Sequence, residues 1–488
     1  MTSVASGVDK VGVRVDAVRA FLGYLVLPNG AFAILGHFLY MPRPLVNVDY
    51  LLLGVIAGLL PPVVAVAAYF FLVANDAFVS LAPVFHFDLG TAAFSMRYAF
   101  RLGWGLAVLG FVLVTSASAV AVLGIRLSGT QRRRVRPSLL AAAISLLALD
   151  AIGGTSVLSR ADRAAFGVNI ATSALYRTTT NIYSAVTARG DRNAMRVVTH
   201  VRSATEDLRA HVAGGSSNKG IGAVHVVLVI VESLGSTKDS TGDSAAFAPL
   251  LAEAVRRRYD VRVGTVPFHG ATTSGELREL CGVGADYRAV NRLDLQDCLP
   301  ARLQRDGFHT IALHGYSGAF FDRYAWYPRL GFQGIFFAEE LTKLTEVGFC
   351  GGTFRGVRDV DVGRIVEREI LQAPKGERRF VYWMTLSSHL PVDASCAVDT
   401  APSCPAIVGR FEDVCTLIRI QGLVARSVAD IATNPALPPT RFIVVGDHAP
   451  PFFSRIKRSL FAENEVPFIE LIPKDRPRLG VTAASPLR

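Results

Sequence analysis

Charge is scarce in this chain of 488 residues: Asp, Glu, Lys and Arg supply 19% of it, and hydrophobic residues 51%. A protein bathed in water on all sides rarely has that balance. The shortage is local. It falls in roughly the first 160 residues, and the remainder reads as ordinary globular α/β sequence. Cysteine is missing from the apolar part altogether. Cys281, Cys298, Cys350, Cys396, Cys404 and Cys415 all lie in the second half. No Cys-x-x-Cys pair occurs, which excludes the usual spacing of structural zinc and thiol-redox sites. An even count confined to one region suits disulfides made in an oxidising compartment, with buried thiols as the other reading. The pairs nearest in sequence, Cys281 with Cys298 and Cys396 with Cys404, are expected first. No internal repeat is visible, so nothing indicates a solenoid.

The formal charge is +11. Arg clusters beside the apolar segments explain much of that sign, and nucleic-acid binding is not needed to account for it. Four apolar segments, 17–40, 51–73, 102–125 and 139–158, match the about 20 helical residues that cross a hydrocarbon core. A cleaved signal would be followed by polar sequence and not by further spans. The most basic loop holds Arg126, Arg132, Arg133 and Arg134, which assigns it to the cytoplasm. The last span then leads outward, and the cysteine-bearing half is extracytoplasmic.

Four crossings put the N-terminus outside, whereas Lys10, Arg14 and Arg19 favour the inside. The segment 50–87, with Pro61 and Pro62 in its middle, is the candidate for a broken element that adds a fifth crossing. The expected layout is a tail (1–16), a transmembrane domain of four or five helices (17–158), a juxtamembrane helical linker (159–221), an extracytoplasmic α/β domain (222–475) and a second tail (476–488). Within the linker, 159–212 is polar and Arg-rich, with Val197, Val198, Val201 and Leu208 loosely at helical spacing. It either lies along anionic head groups or serves as a solvated connector.

Two stretches of the second half deliver polar groups where a β-branched run stops. One is Val-Val-Leu-Val-Ile-Val-Glu-Ser-Leu-Gly, with Glu232; the other is Arg-Phe-Ile-Val-Val-Gly-Asp-His, with Asp447 and His448. Buried parallel strands have this composition, and open α/β sheets place ligand sites at the carboxyl ends of their strands. Two carboxylates and an imidazole converging there make a divalent-metal site. Predicted strands at 310–313 and 380–386 likewise lead to His314 and His389.

A helix is predicted over 273–280, with Thr272 or Thr273 as its N-cap. Helix N-termini hold phosphate, and a dication turns a threonine hydroxyl, inert at neutral pH, into a nucleophile. Arg323 adds a forked cation suited to phosphate. Further helices are predicted at 299–306 and 362–371. Asp359 and Asp361 serve the start of the second, and Glu339 and Glu340 open another. His269 reads as a loop contact.

Together these motifs over 224–451 resemble the catalytic domain of the alkaline phosphatase/sulfatase superfamily. The resemblance is to its membrane-bound phosphoglycerol transferases, of the lipoteichoic acid synthase type. It implies a multi-span α-helical membrane domain followed by an extracytoplasmic α/β domain, in the cytoplasmic membrane of a bacterium. It implies one metal ion, Mn²⁺ first and Zn²⁺ or Mg²⁺ next, held by Glu232, Thr272, Asp447 and His448, with Thr272 as nucleophile. The family's Thr-Ser-x-Ser-Glu setting stands here as Thr272-Thr273-Ser274-Gly275-Glu276. His314, Phe321, Arg323 and His389 match its head-group pocket. Phe321 replaces the family's tryptophan, and Tyr316 stands where an acidic residue is familiar.

The implied reaction moves phosphoglycerol from phosphatidylglycerol to a hydroxyl of an envelope glycan or polymer, through a phospho-threonine. Phosphoethanolamine transfer, transfer to water and a non-catalytic binding or assembly role are the other readings. Formylglycine sulfatases need Cys-x-Pro-x-Arg. Cys404-Pro405 lacks that spacing, which argues against sulfate-ester hydrolysis.

Overall fold

The computed structural model describes residues 14–38, 43–82, 104–128, 135–152, 170–187, 198–213, 225–285, 287–397, 404 and 410–474. Lys10, the Arg132–Arg134 cluster, the glycine-rich part of the linker and the 476–488 tail lie outside the described residues. The chain forms two compact units. One comprises Met1–Ala194 with Phe452–Arg458, and the other Met195–Pro451 with Ser459–Arg488.

The first unit is helical. Among the described residues, Arg14–Phe38 and Pro62–Leu81 are long and apolar enough to cross a membrane, and Thr115–Leu127, part of a longer helix, is a shorter apolar stretch. The expected span 51–73 is not one element. Asp49–Ala57 is a separate helix, and the chain restarts at Pro62, where a missing N–H costs nothing in the first turn. The expected spans 102–125 and 139–158 appear as Trp104–Ser128 and Arg136–Ile152, the latter described no further than residue 152. Tyr24, Tyr50, Tyr69, Leu51 and Leu139 form the core. A polar network is buried beside them: Arg43 donates to both oxygens of Asp76 and to Asn29 Oδ1, and the Tyr50 hydroxyl donates to Asp76 at 3.0 Å.

The second unit is built on a seven-stranded sheet. Its strands are β1 (His225–Val231), β2 (Tyr259–Pro267), β3 (Phe308–His314), β4 (Gly334–Phe336), β5 (Arg378–Met384), β6 (Thr440–Gly446) and β7 (Glu465–Pro473). The order is β2-β7-β6-β1-β5-β3-β4. Neighbours from β6 to β4 are parallel, and β7 is antiparallel to both of its neighbours. Every residue of β1 and β6 is buried, which explains their unbroken apolar runs. Gly446 pairs with Val231. That register sets Glu232 and Asp447, the next residue on each strand, side by side.

Two expectations need correction. The stretch 159–212 is neither a surface-lying helix nor a solvated connector throughout. Its last part packs into the second unit: Val201 and Leu208 are buried, Val201 N donates to Gly282 O, and the Thr205 hydroxyl donates to Glu279 O at 2.6 Å.

The disulfides are Cys281–Cys298, as expected, with Cys350–Cys396 and Cys404–Cys415 in place of Cys396–Cys404. Cys350 ends a short strand that pairs with Gly356–Val357, and it is buried with Cys396 and Ile420. Tertiary packing, and not the short loop, selects this partner. Non-reducing peptide mapping should recover Cys350 linked to Cys396. A Cys396–Cys404 peptide would contradict this packing.

Candidate active site

Glu232 leaves β1 with its amide donating to Thr385 Oγ1 at 2.9 Å, and its carbonyl accepts from Ser388 Oγ at 2.6 Å. The next residue, Ser233, adopts a left-handed conformation (φ 54°), a strained position for a residue with a Cβ. Two gains hold it there. Its amide donates to Asp447 Oδ1 at 2.8 Å, and its carbonyl accepts from Gln421 at 2.9 Å. Asp447 Oδ1 accepts a second amide, from His448, at 2.7 Å. One carboxylate oxygen is thus saturated by the backbone. The other, Oδ2, is buried and accepts no hydrogen bond.

His448 Nδ1 lies 3.0 Å from Ala449 O, which assigns its proton to Nδ1 and leaves a lone pair on Nε2. That nitrogen lies 3.3 Å from Asp447 Oδ2 and 3.7 Å from Glu232 Oε1. The Thr272 hydroxyl donates to Glu232 Oε2 at 3.2 Å and stands 3.4 Å from His448 Nε2. Ligand atoms of Glu232, Asp447 and His448 all fall within 4.8 Å of one another.

Electrostatics at this cluster are unbalanced. Burial, and then the Glu232 charge, push Asp447 well above the ordinary carboxylate range. Burial acts upward on Glu232 too. His389, His448 and the Ser233 and Thr272 hydroxyls together still hold it below its ordinary value. Two buried carboxylates, one of them with an orphaned oxygen, and an imidazole lone pair fit a divalent cation, which would satisfy all three groups at once.

Thr272 is not the cap of its helix. The helix runs Thr272–Cys281 with Ala271, in extended conformation, at the N-cap. Thr272 is therefore its first residue, and its side chain turns to Glu232. Thr273 is buried and its hydroxyl has no hydrogen-bond partner. Gly275 lets the helix approach β6: a Cβ there would lie 2.9 Å from the Asp447 backbone. Arg278, which sequence reasoning passed over, closes the same gap. It is buried, pairs with Glu279 and donates to Gly446 O at 2.6 Å and Asp447 O at 3.2 Å. Its place two turns into the helix that carries Thr272 was the available signal.

The expected head-group residues divide. His314 is buried with Nδ1 3.0 Å from Met384 O, and burial and the Arg323 charge keep it neutral. His389 is half-buried, packs its ring 3.9 Å from that of Phe354, and is lowered by burial with Glu232 opposing. Phe321 and Asp322 are consecutive left-handed residues (φ 56° and 52°), held by a Trp326 indole donating to Phe321 O at 2.9 Å. That strain turns the Phe321 ring onto Tyr287 and Phe320.

Arg323 departs from expectation. It is buried, and its guanidinium donates to Glu276 at 3.0 Å, a partner that the sequence did not announce. Glu276 also accepts from the Tyr382 hydroxyl at 2.9 Å and from Tyr327. A buried carboxylate on the Thr272 helix needed a cation, and Arg323 is the one that reaches it.

Asp359 does more than open its helix. Its carboxylate accepts from Leu386 N at 3.0 Å and Ser387 N at 2.8 Å, fixing the turn before His389. This is why the strand predicted over 380–386 ends at Met384.

Two predictions follow from these partners. Arg323→Ala should destabilise the fold by about 3–5 kcal/mol, because it strands Glu276 as a buried charge. Chemical denaturation measures this, and a change confined to substrate KM would contradict it. Burial raises Asp359 from 3.8 to about 7. The folded state therefore holds an extra proton between those values, so stability falls as pH rises through that window. Asp359→Asn should flatten that slope in pH-resolved unfolding.

The sulfatase family matches residues 224–475. No curated protein matches the chain in sequence. Among the solved structures with partial likeness to this chain are the following three. A protein in the alkaline phosphatase superfamily from Vibrio parahaemolyticus is 18% identical, with 56% of this chain and 68% of that one covered and a TM-score of 0.39. The lipoteichoic acid synthase LtaP from Listeria monocytogenes is 14% identical, with 57% and 70% covered and a TM-score of 0.38. The Streptococcus pyogenes phosphoglycerol transferase GacH, in complex with sn-glycerol-1-phosphate, is 14% identical, with 56% and 77% covered and a TM-score of 0.37. Scores of this size carry no argument about activity, and the assignment rests on the family match over half of the chain. By that match, made over the region that holds Glu232, Thr272, Asp447 and His448, the chain belongs to the sulfatase family.

Proposed function

We propose that the protein is a metal-dependent phosphotransferase that moves a phospholipid head group, phosphoglycerol in the first reading, onto a hydroxyl of an envelope glycan or polymer. One observation carries this. The Thr272 hydroxyl lies within 3.2–3.4 Å of Glu232 and His448, beside an Asp447 oxygen that accepts no hydrogen bond. Glu232, Asp447, His448 and Thr272 are the residues that would hold the ion. A dication there, Mn²⁺ in the first reading, would lower the hydroxyl's pKa and polarise a phosphoryl oxygen.

Thr272 Oγ attacks phosphorus, the bond from phosphorus to the diacylglycerol oxygen breaks, and diacylglycerol departs with a proton. A phosphoglyceryl-threonine remains. The acceptor hydroxyl then attacks phosphorus, its proton passes to Thr272 Oγ, and the enzyme is restored. His389 is assigned to contact the phosphate or to help with proton transfer. Arg323 is assigned a positioning role, since its pairing with Glu276 orients the helix that begins at Thr272.

Phosphoethanolamine is the second reading for the donor, and one observation favours it. Beside the Arg323–Glu276 pair, the rings of Phe320 and Phe354 lie against each other, and aromatic faces suit a cationic head group. Phosphatidylglycerol and phosphatidylethanolamine labelled in the head group separate the two readings.

The protein is assigned to a bacterial cytoplasmic membrane as a multi-pass chain with its catalytic domain outside. Asp49–Ala57, at 9 residues, is too short to cross a hydrocarbon core, so the break before Pro62–Leu81 suits the broken or re-entrant element and adds no passage of its own.

Thr272→Ala should cut diacylglycerol release by about 10⁴-fold or more while leaving thermal unfolding unchanged. Intact-mass analysis after brief exposure to phosphatidylglycerol should show a phosphoglycerol adduct on Thr272. An adduct on Thr273 would reassign the nucleophile. Chelation should abolish turnover, and added Mn²⁺ should restore it.

A further inference from the structure

Residues 198–213 precede the region that the sulfatase family matches, yet they belong to the unit that holds the candidate metal ligands. They meet that unit at the C-terminal end of the helix Thr272–Cys281. A helix leaves its last carbonyls without intrahelical partners. Here the partners come from 74 residues earlier in the chain: the Thr205 hydroxyl donates to Glu279 O at 2.6 Å, and the Thr205 amide to Glu279 Oε2 at 3.1 Å. Val201 N donates to Gly282 O at 3.0 Å, and Val198 and Thr199 pair with Gly284 and Val283. The left-handed Gly282 (φ 70°) ends the helix, and the Arg209 guanidinium lies where a Cβ on it would stand.

The hydrogen bonds continue toward the metal ligands. Glu279 Oε1 accepts from Arg278 Nε at 2.6 Å. Arg278 in turn donates from Nη2 to Gly446 O at 2.6 Å and from Nη1 to Asp447 O at 3.2 Å. Thr205, Glu279 and Arg278 are all buried, so each group depends on the next for its partners. We propose that Thr205 is a positioning residue for the metal centre: through Glu279 and Arg278 it holds the backbone of Asp447 where the carboxylate can ligate an ion. This rests on the reading that Glu232, Thr272, Asp447 and His448 bind a dication. A bound ion needs its ligand atoms within about 0.2 Å of their proper distances, so a small release of that backbone is felt as lost affinity. Segment 198–213 is then a working part of the site, although it lies outside the family region.

The test is Mn²⁺ titration of the full chain followed by calorimetry, with Zn²⁺ in a second series. Thr205→Val keeps the branched shape and removes the hydroxyl donor. Thr440→Val is the matched control. Its hydroxyl also donates to a backbone carbonyl, Pro438 O at 2.8 Å, and is equally buried, but it lies at the opposite end of β6 from Asp447. Both variants should lower the thermal unfolding temperature. Only Thr205→Val should weaken metal binding, by about 10-fold, the lower end of what outer partners of metal ligands give. Thr205→Ser, which retains the donor, should bind as the wild type does.

Arg278→Lys keeps a charge beside Glu279 but lacks the fork that reaches two carbonyls, and it should weaken binding as well. Adding Thr205→Val to it should cost nothing further, because both act through one relay. Unchanged affinity in Thr205→Val or in Arg278→Lys overturns the proposal and leaves the metal reading standing. Equal weakening in Thr440→Val overturns it too, since the effect is then one of general stability. So do multiplied losses in the double variant, which indicate independent effects. If the wild-type chain binds neither Mn²⁺ nor Zn²⁺, the metal reading falls and takes this proposal with it.

Discussion

Repulsion between two carboxylates governs the second unit. Glu232 and Asp447 stand at the ends of neighbouring parallel strands, both buried, with ligand atoms inside a 4.8 Å cluster. Burial and the Glu232 charge together push the Asp447 carboxyl well above its ordinary range. Around the site, the protein cations that come near are used elsewhere. Arg278 pairs with Glu279 and donates to the Gly446 and Asp447 carbonyls, and Arg323 is paired with Glu276. Backbone amides neutralise one oxygen of Asp447 and leave the other bare. The remaining charge asks for an ion from solution, and the Thr272 hydroxyl is already beside the place it would occupy.

The surrounding structure can be read as what makes that arrangement rigid. The parallel register of β1 and β6 fixes the separation of the two carboxylates. The left-handed turn at Ser233 and the hydrogen bonds from Ser388 and Gln421 fix the direction in which Glu232 leaves its strand. Gly275 and Arg278 set the helix of Thr272 against the end of β6 from one side. Glu276, on the same helix, ties it to β5 through Tyr382 and to the Phe321–Arg323 loop through Arg323. A site so constrained suits chemistry in which a weak nucleophile must be held in place.

The strands and the residues that gather at the candidate site were legible because each is announced locally. Unbroken β-branched runs mark strands buried on both faces, and Glu232, His314 and Asp447 follow where those runs stop. The strand before His389 was placed two residues too long, because its end is set by Asp359, a residue distant in sequence. Arg323 was recognised as a forked cation, but its partner was not, since Glu276 lies on another element and meets it only in the fold. The cysteines show the same limit: Cys281 and Cys298 are near neighbours and pair, whereas Cys396 passes over Cys404 for Cys350.

The amino-acid sequence alone determined which segments are apolar, where the β-branched runs end and which residue types stand at those ends, because these are properties of short windows. Tertiary structure decided the rest. The strand register put Glu232 beside Asp447, packing drew residues from 198 to 213 into the second unit, and Arg323 was committed to Glu276. Each of these depends on which distant groups meet when water is excluded, and the energy of a buried charge is set by that meeting and not by its neighbours along the chain.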